Sequence, residues 1–282
     1  MHIEEDYYKL SDTQLFVQRA GKAEQVLLFV HGFLGSTFSW RYLLPMLSPH
    51  YTVYAVDLPG FGRSAKKKDY PYTLTAFAKS IHNFAVSQTV RPLTIIAHSM
   101  GGQVAMRLAI IAPQLVERLI LIAPSSYLPA AKRWQKALFR LPHMHRIVPF
   151  LITPNRAYRE LTNVVYDKQA MDLQSMYDGY VTPLRDRNFS RSLFQFASNR
   201  ESDLSREQLQ EIEQPTLLLW GRHDRVVPLR VGQRLVRDLP NACLKIIERS
   251  GHVPMEEKPR VVCDHITSFI TSTVPGKREG IR

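Results

Sequence analysis

Six short apolar runs, each followed within a few residues by glycine or proline, constrain this chain more than any other feature: Val26–Val30, Thr52–Val56, Leu93–Ala97, Leu119–Ala123, Thr216–Trp220 and Leu244–Ile247. Runs this short, with no polar alternation, fit strands covered on both faces, as in a parallel sheet. Between them the spacing turns helical. After Gly102, for example, Val104, Leu108 and Ile111, with Ala105, Ala109 and Ala112, recur at helical intervals until Pro113 stops them. Strand alternating with helix predicts an α/β sheet. Ahead of the first run, Tyr7–Leu10 and Gln14–Arg19 flank Ser11, Asp12 and Thr13, a pattern compatible with an antiparallel hairpin at the sheet edge.

The alternation breaks between Pro124 and Pro215, where about ninety residues show helical amphipathicity, frequent prolines and no strand run. Residues 1–124 and 215–282 are therefore expected to form the core, and 125–214 an inserted helical cap. Val274–Arg282 carries Pro, Gly and charge and is expected to fray.

Composition excludes several classes. A chain of 282 residues with 45% hydrophobic and 22% charged residues can bury a sizeable core and does not resemble a disordered polymer. The balance of 37 Lys and Arg against 25 Asp and Glu gives +12, which permits attraction to anionic lipid, nucleic acid or acidic substrate without specifying one. No nucleic-acid partner is expected. Two cysteines, Cys243 and Cys263, cannot make a disulfide framework and suit a reducing compartment. Glu4, Glu5 and Asp6 stand where a secretory signal needs positive charge, and no apolar run approaches the roughly 20 residues that cross a bilayer. The expectation is a cytoplasmic protein, soluble or at most peripheral.

The chemistry centres on Leu93-Thr-Ile-Ile-Ala-His-Ser-Met-Gly-Gly102, which puts Ser99 between an expected strand and an expected helix. A tight strand-to-helix turn lifts a serine Oγ clear of the backbone, and the helix N-terminus behind it offers amide donors to developing negative charge. Strand and helix crowd there, so small residues are needed two before and two after the serine. These are Ala97 and Gly101. The usual pattern has glycine at the first position; alanine stays small but gives up some conformational freedom. A serine hydroxyl also needs a base held in the right tautomer by an acid. Asp224, in Trp220-Gly-Arg-His-Asp-Arg-Val-Val-Pro228, falls just after one expected strand, and His252, in Ser250-Gly-His-Val-Pro254, after the next. Both would open on the same sheet edge as Ser99. An oxyanion needs two preorganised donors, for which the backbone amides of Phe33 and Met100 are the candidates. Leu34, Trp134, Val226 and Val253, with Phe33 and Met100, are the candidate walls of an apolar pocket.

Together, His31-Gly32, Asp57-Leu-Pro-Gly-Phe-Gly-Arg-Ser64, the turn at Ser99, Gly221-Arg-His-Asp224 and Gly251-His252 resemble the α/β-hydrolase superfamily, in order and across nearly the whole chain outside the insertion. The order Ser, Asp, His is that of the superfamily. The resemblance implies an eight-stranded, mostly parallel sheet, a helical cap after strand six, and hydrolysis without a cofactor. It suggests a serine hydrolase cleaving carboxylic esters of small to medium size, with an apolar acyl group, through an acyl-enzyme.

Two rivals use the same scaffold. His31-Gly-Phe-Leu-Gly-Ser36 is similar to a segment of the menaquinone-pathway synthase, and the meta-cleavage-product hydrolases share the general plan, so carbon–carbon chemistry is an alternative. Against the synthase, Gln103 stands where an arginine is expected. A receptor-like binder is the other alternative. Epoxide hydrolases and haloalkane dehalogenases resemble the chain at His31-Gly32 and Trp40 but need a carboxylate where Ser99 stands.

Other residues draw structural readings. His31, His98 and His223 are expected to make turn hydrogen bonds or line the pocket, and Asp57 to anchor its loop. His143 and His145 lack a third ligand, so no metal is expected. In Ala130–Leu141, Trp134, Ala137, Leu138 and Leu141 share one helical side, with Lys132, Arg133, Lys136 and Arg140 on the other. This basic amphipathic helix is read as a roof over the pocket with solvated charges. Weak contact with an anionic membrane is the alternative, each basic residue near the leaflet adding about 1 kcal/mol.

Overall fold

The computed structural model describes residues 2–88, 92–130, 132, 159, 162–169 and 171–272. Eight strands form one sheet: β1 (Glu4–Lys9), β2 (Gln14–Ala20), β3 (Val26–Val30), β4 (Thr52–Val56), β5 (Leu93–His98), β6 (Val116–Ile122), β7 (Thr216–Gly221) and β8 (Ala242–Ile247). Their spatial order is β1-β2-β4-β3-β5-β6-β7-β8. β2 is antiparallel to both its neighbours, and every pair from β4 across to β8 is parallel.

The apolar runs of β3 to β7 are strands because they are covered on both faces. Leu28, Val30, Ile95, Ala97, Leu119, Leu121 and Leu218 belong to one buried cluster. Their neighbours Leu27, Phe29, Ile96, Ile120, Ile122, Leu217 and Leu219 belong to the cluster on the opposite face. The helices Leu74–Gln88 and Met100–Ile111 cover the first face, and Pro259–Thr271 the second. Successive side chains of a strand point to opposite faces, which is why continuous apolar runs were needed.

Three strands begin earlier than expected, and the other differences are of one residue at strand ends. β6 begins at Val116 and β8 at Ala242, earlier than their apolar runs, because Glu117 and Arg118 sit at the partly exposed start of one strand and Ala242 to Leu244 are only half-buried on the edge. β1 covers Glu4–Lys9, not Tyr7–Leu10; nearly all of it is exposed, so no apolar signal marks it. Its acids face basic side chains, Glu4 with Arg19 at 3.4 Å and Glu5 with Arg63 at 2.6 Å.

Between β6 and β7 the described residues include the helices Leu173–Tyr180, Arg187–Asn199 and Arg206–Gln210 and no strand. Phe189, Leu193 and Phe196 join the cluster that contains Phe61 and Phe77. Of Ala130–Leu141, only Ala130 and Lys132 are among the described residues; Trp134, His143, His145 and Val274–Arg282 lie outside them. Cys243 and Cys263 are both free thiols. No described helix is long and apolar enough to cross a membrane.

The strand order fixes where a site can form. β3 has β4 on one side and β5 on the other, so successive crossovers leave it in opposite directions and open a crevice at its carboxyl end. The loop from His31 and the turn at Ser99 both leave that end.

Candidate active site

β5 ends at His98 and the helix begins at Met100, leaving Ser99 as a one-residue corner with φ 51° and ψ −118°. A non-glycine residue at positive φ is strained and persists only when its surroundings hold it. Ser99 N–H donates to the Ile122 carbonyl at 3.0 Å, and its own carbonyl accepts from the amides of Gly102 at 2.9 Å and Ser125 at 3.0 Å. Close packing does the rest. A Cβ on Gly101 would lie 2.4 Å from the Val30 carbonyl oxygen, and one on Gly32 would lie 3.0 Å from the Ser99 Cβ. Ala97 is fully buried beside Val30, so the sheet accommodates a methyl group at this position.

His252 joins Ser99 to Asp224. Its Nδ1 lies 2.8 Å from Asp224 Oδ2 and its Nε2 3.2 Å from Ser99 Oγ. A carboxylate only accepts, so Nδ1 carries the proton and the Nε2 lone pair faces the hydroxyl. The other carboxylate oxygen, Oδ1, accepts from the amides of Val226 at 2.8 Å and Val227 at 2.9 Å. Asp224 and His252 are both buried. Their loops leave the carboxyl ends of β7 and β8 and press backbone on backbone: a Cβ on Gly221 would lie 1.9 Å from the Gly251 carbonyl oxygen.

Three groups hold the histidine loop, and of these only His98 is expected from the sequence. His252 N–H donates to the Val164 carbonyl at 2.7 Å. Half-buried Glu257 accepts from the amides of Gly251 and Tyr166, both at 2.6 Å, and its partial burial raises its pKa. His98 Nε2–H donates to the His252 carbonyl at 2.9 Å, and burial holds its imidazole neutral, well below the ordinary range.

The other expected structural residues behave as turn and loop anchors. His31 is buried, donates from Nδ1 to the Gly32 carbonyl at 2.7 Å and accepts at Nε2 from the Leu58 amide at 2.9 Å; burial lowers its pKa to about 4. Asp57 accepts from the amides of Thr37 and Arg63, each at 2.6 Å, and burial raises its pKa to about 6. His223 stacks on Tyr166 with ring centroids 4.3 Å apart.

A cavity of about 180 Å³ opens onto Ser99 and His252. Phe33, Leu34 and Val253 line it, as expected, and Val164, Met176 and Val181 come from the insertion. The sequence showed those last three as apolar residues but not which way they face. Two expected walls are corrected. Val226 does not line the cavity: the residue is 51% exposed, while its amide serves Asp224. The Met100 side chain packs into the core instead. Met100 opens the helix directly after Ser99, and Phe33 follows the glycine packed on the Ser99 Cβ. No group of three or more His, Cys, Asp or Glu able to hold a metal ion occurs among the described residues.

Comparison with known proteins places this geometry in context. The profile of the alpha/beta hydrolase fold matches residues 25–259. An uncharacterized hydrolase, YugF, of Bacillus subtilis is 36% identical over 249 residues, covering 87% of this chain and 90% of its own length. A 2-hydroxy-6-oxononadienedioate/2-hydroxy-6-oxononatrienedioate hydrolase of Cupriavidus pinatubonensis is 28% identical, covering 89% and 88%. A pimeloyl-[acyl-carrier protein] methyl ester esterase of Vibrio vulnificus is 27% identical, covering 91% and 98%.

Proposed function

The chain belongs to the α/β hydrolase fold family, and from that premise we propose that it is a serine hydrolase of carboxylic esters with an apolar acyl group, working through an acyl-enzyme. The observation that carries the proposal is the hydrogen-bonded line Asp224–His252–Ser99 ending in a largely apolar cavity.

In this reading Ser99 Oγ attacks the ester carbonyl as His252 Nε2 takes its proton. Asp224 keeps the imidazole in the tautomer with Nδ1 protonated and stabilises the imidazolium that forms. The tetrahedral oxyanion is held by the backbone amides of Phe33 and Met100, each such donor contributing roughly 3 kcal/mol in the transition state. His252 then protonates the departing alkoxide, and water, deprotonated by the same nitrogen, cleaves the acyl-enzyme. Residues 125–214 act as the cap; Val164, Met176, Tyr180 and Val181 are its contribution to the cavity.

A fluorophosphonate tests the proposal directly. It is expected to label the protein at Ser99, and Ser99→Ala is expected to abolish labelling and lower ester turnover by about a millionfold. An S99A variant that keeps most of its esterase activity overturns the assignment. A second reading, carbon–carbon hydrolysis on the same three side chains, is favoured by the likeness to the Cupriavidus hydrolase. Turnover of a vinylogous diketone acid in preference to p-nitrophenyl esters would establish it.

A further inference from the structure

Ser39 and Tyr180 line the cavity and are tied to a charge pair buried behind it. Arg41 donates to Glu256 Oε2 at 2.7 Å, and the Glu256 side chain is fully buried. The guanidinium also lies 3.9 Å from the ring centre of Phe38 and 4.4 Å from that of Tyr42, so its faces are covered as well as its charge. The Tyr180 hydroxyl reaches two oxygens, Glu256 Oε1 and, at 3.0 Å, Ser39 Oγ.

Tyr180 has one proton for these two oxygens. A carboxylate is a stronger acceptor than a hydroxyl, so the proton goes to Glu256 and Ser39 Oγ–H is left to donate to the Tyr180 oxygen. Burial, reinforced by the Glu256 charge, pushes the Tyr180 phenol well above its ordinary range, so it keeps that proton. The chain of donors therefore runs one way, from Ser39 to Tyr180 to Glu256. Ser39 Oγ, its own proton spent, offers lone pairs.

We propose that Ser39 and Tyr180 form a specificity wall that takes an uncharged hydrogen-bond donor, a hydroxyl carried on the substrate's acyl chain, and turns away a carboxylate in the same place. The inference rests on the ester-hydrolase reading and names its substrate class. A hydroxyl donates to Ser39 Oγ. A carboxylate has no proton to give: it meets lone pairs, with the Glu256 charge beyond them, while Arg41 is already bound to Glu256. A plain alkyl chain fits but leaves Ser39 Oγ without a partner from the substrate.

The test compares p-nitrophenyl esters of alkanoic acids, ω-hydroxyalkanoic acids and α,ω-diacids at matched lengths from butanoic to octanoic. At the length that reaches the wall, the hydroxy ester is expected to exceed the plain ester in kcat/KM by roughly three- to tenfold, and the half-acid by more than about tenfold. Ser39→Ala should bring the hydroxy ester down to the plain one. Tyr180→Phe should return the Ser39 proton to the cavity and relax rejection of the half-acid several-fold, with the hydroxyl preference retained. A merely structural role would slow all three esters together.

Equal rates for the three wild-type substrates at every length, or an S39A variant equally slow on all, overturn the inference. Failure of the underlying reading has a different signature, the absence of fluorophosphonate labelling in the wild type. Calorimetric titration of the S99A protein with the same esters then reads the wall without turnover. The same order of affinity supports it, and equal affinities reject it.

Discussion

The line through Ser99, His252 and Asp224 and the wall of Ser39 and Tyr180 face one cavity but are held by different means. Each member of the line follows the carboxyl end of a parallel strand, β5, β7 or β8, and is fixed largely by backbone contacts. The wall is assembled from side chains far apart in sequence: Ser39 meets Tyr180 across 141 positions, and Arg41 meets Glu256 across 215. Backbone scaffolding survives many changes of side chain, whereas the wall exists only while four particular side chains do. Substitution in the line should therefore cost rate with every substrate, and substitution in the wall should redistribute rate among substrates.

The sharpest break of that contrast is Asp224→Asn. The amide can present an N–H to His252 Nδ1 and hold the wrong tautomer, so kcat is expected to fall about 10⁴-fold for all esters alike. A loss confined to one ester class would erase the distinction between line and wall. Next comes Gly221→Ala, whose Cβ would meet the carbonyl oxygens of Gly251 at 1.9 Å and Ser250 at 2.6 Å. These are backbone atoms and cannot step aside individually, so the Asp224 and His252 loops must part. Displacement on the order of 1 Å costs roughly 100-fold in kcat/KM. Circular dichroism and thermal melting separate this from unfolding: a folded G221A enzyme of full activity would show that the loop contact does not position the line.

The same contrast explains what could be read from the sequence. β3 and β4 are bounded as their apolar runs predict, because a strand buried on both faces leaves no other pattern. Ser99, Asp224 and His252 were legible because each sits in a short motif right after such a run. The wall was not. Nothing local marks Ser39, Tyr180 or Glu256, since their relation is a meeting of distant segments. Val226 differs for a related reason: its apolar character suits a pocket wall, but the turn that sends its amide to the carboxylate leaves the residue exposed. β1 was half hidden because an exposed edge strand needs no apolar face.

Beneath the line, His31 offers a pH-resolved test of the frame. Its pKa is about 4 when folded against 6.5 in the open chain, because burial disfavours the imidazolium. Between those values the unfolded chain binds a proton that folded His31 does not. Its contribution is full above pH 6.5 and is lost as pH falls towards 4, on the order of 3 kcal/mol in all. Asp57, raised to about 6 by burial, runs the other way: its contribution is full below 3.8 and is lost as pH rises through 6. The wild-type curve carries both. In His31→Gln the first contribution is absent, so the gap in stability from wild type should narrow as pH falls from 6.5 to 4, measured by denaturant unfolding. A gap independent of pH would mean that His31 is not held as a buried neutral imidazole.

Val226→Ala is expected to do least, and for that reason discriminates well. The variant keeps the backbone amide that donates to Asp224 Oδ1 at 2.8 Å and removes only a half-exposed side chain outside the cavity. A surface truncation of this kind changes free energy by about 0.5 kcal/mol or less, about twofold in kcat/KM. The change should be the same for plain, hydroxylated and half-acid esters, since neither line nor wall is touched. A tenfold loss, or one that depends on the acyl group, would put Val226 against the substrate and require a cavity larger on the Asp224 side than the one lined by Phe33, Leu34 and Val253.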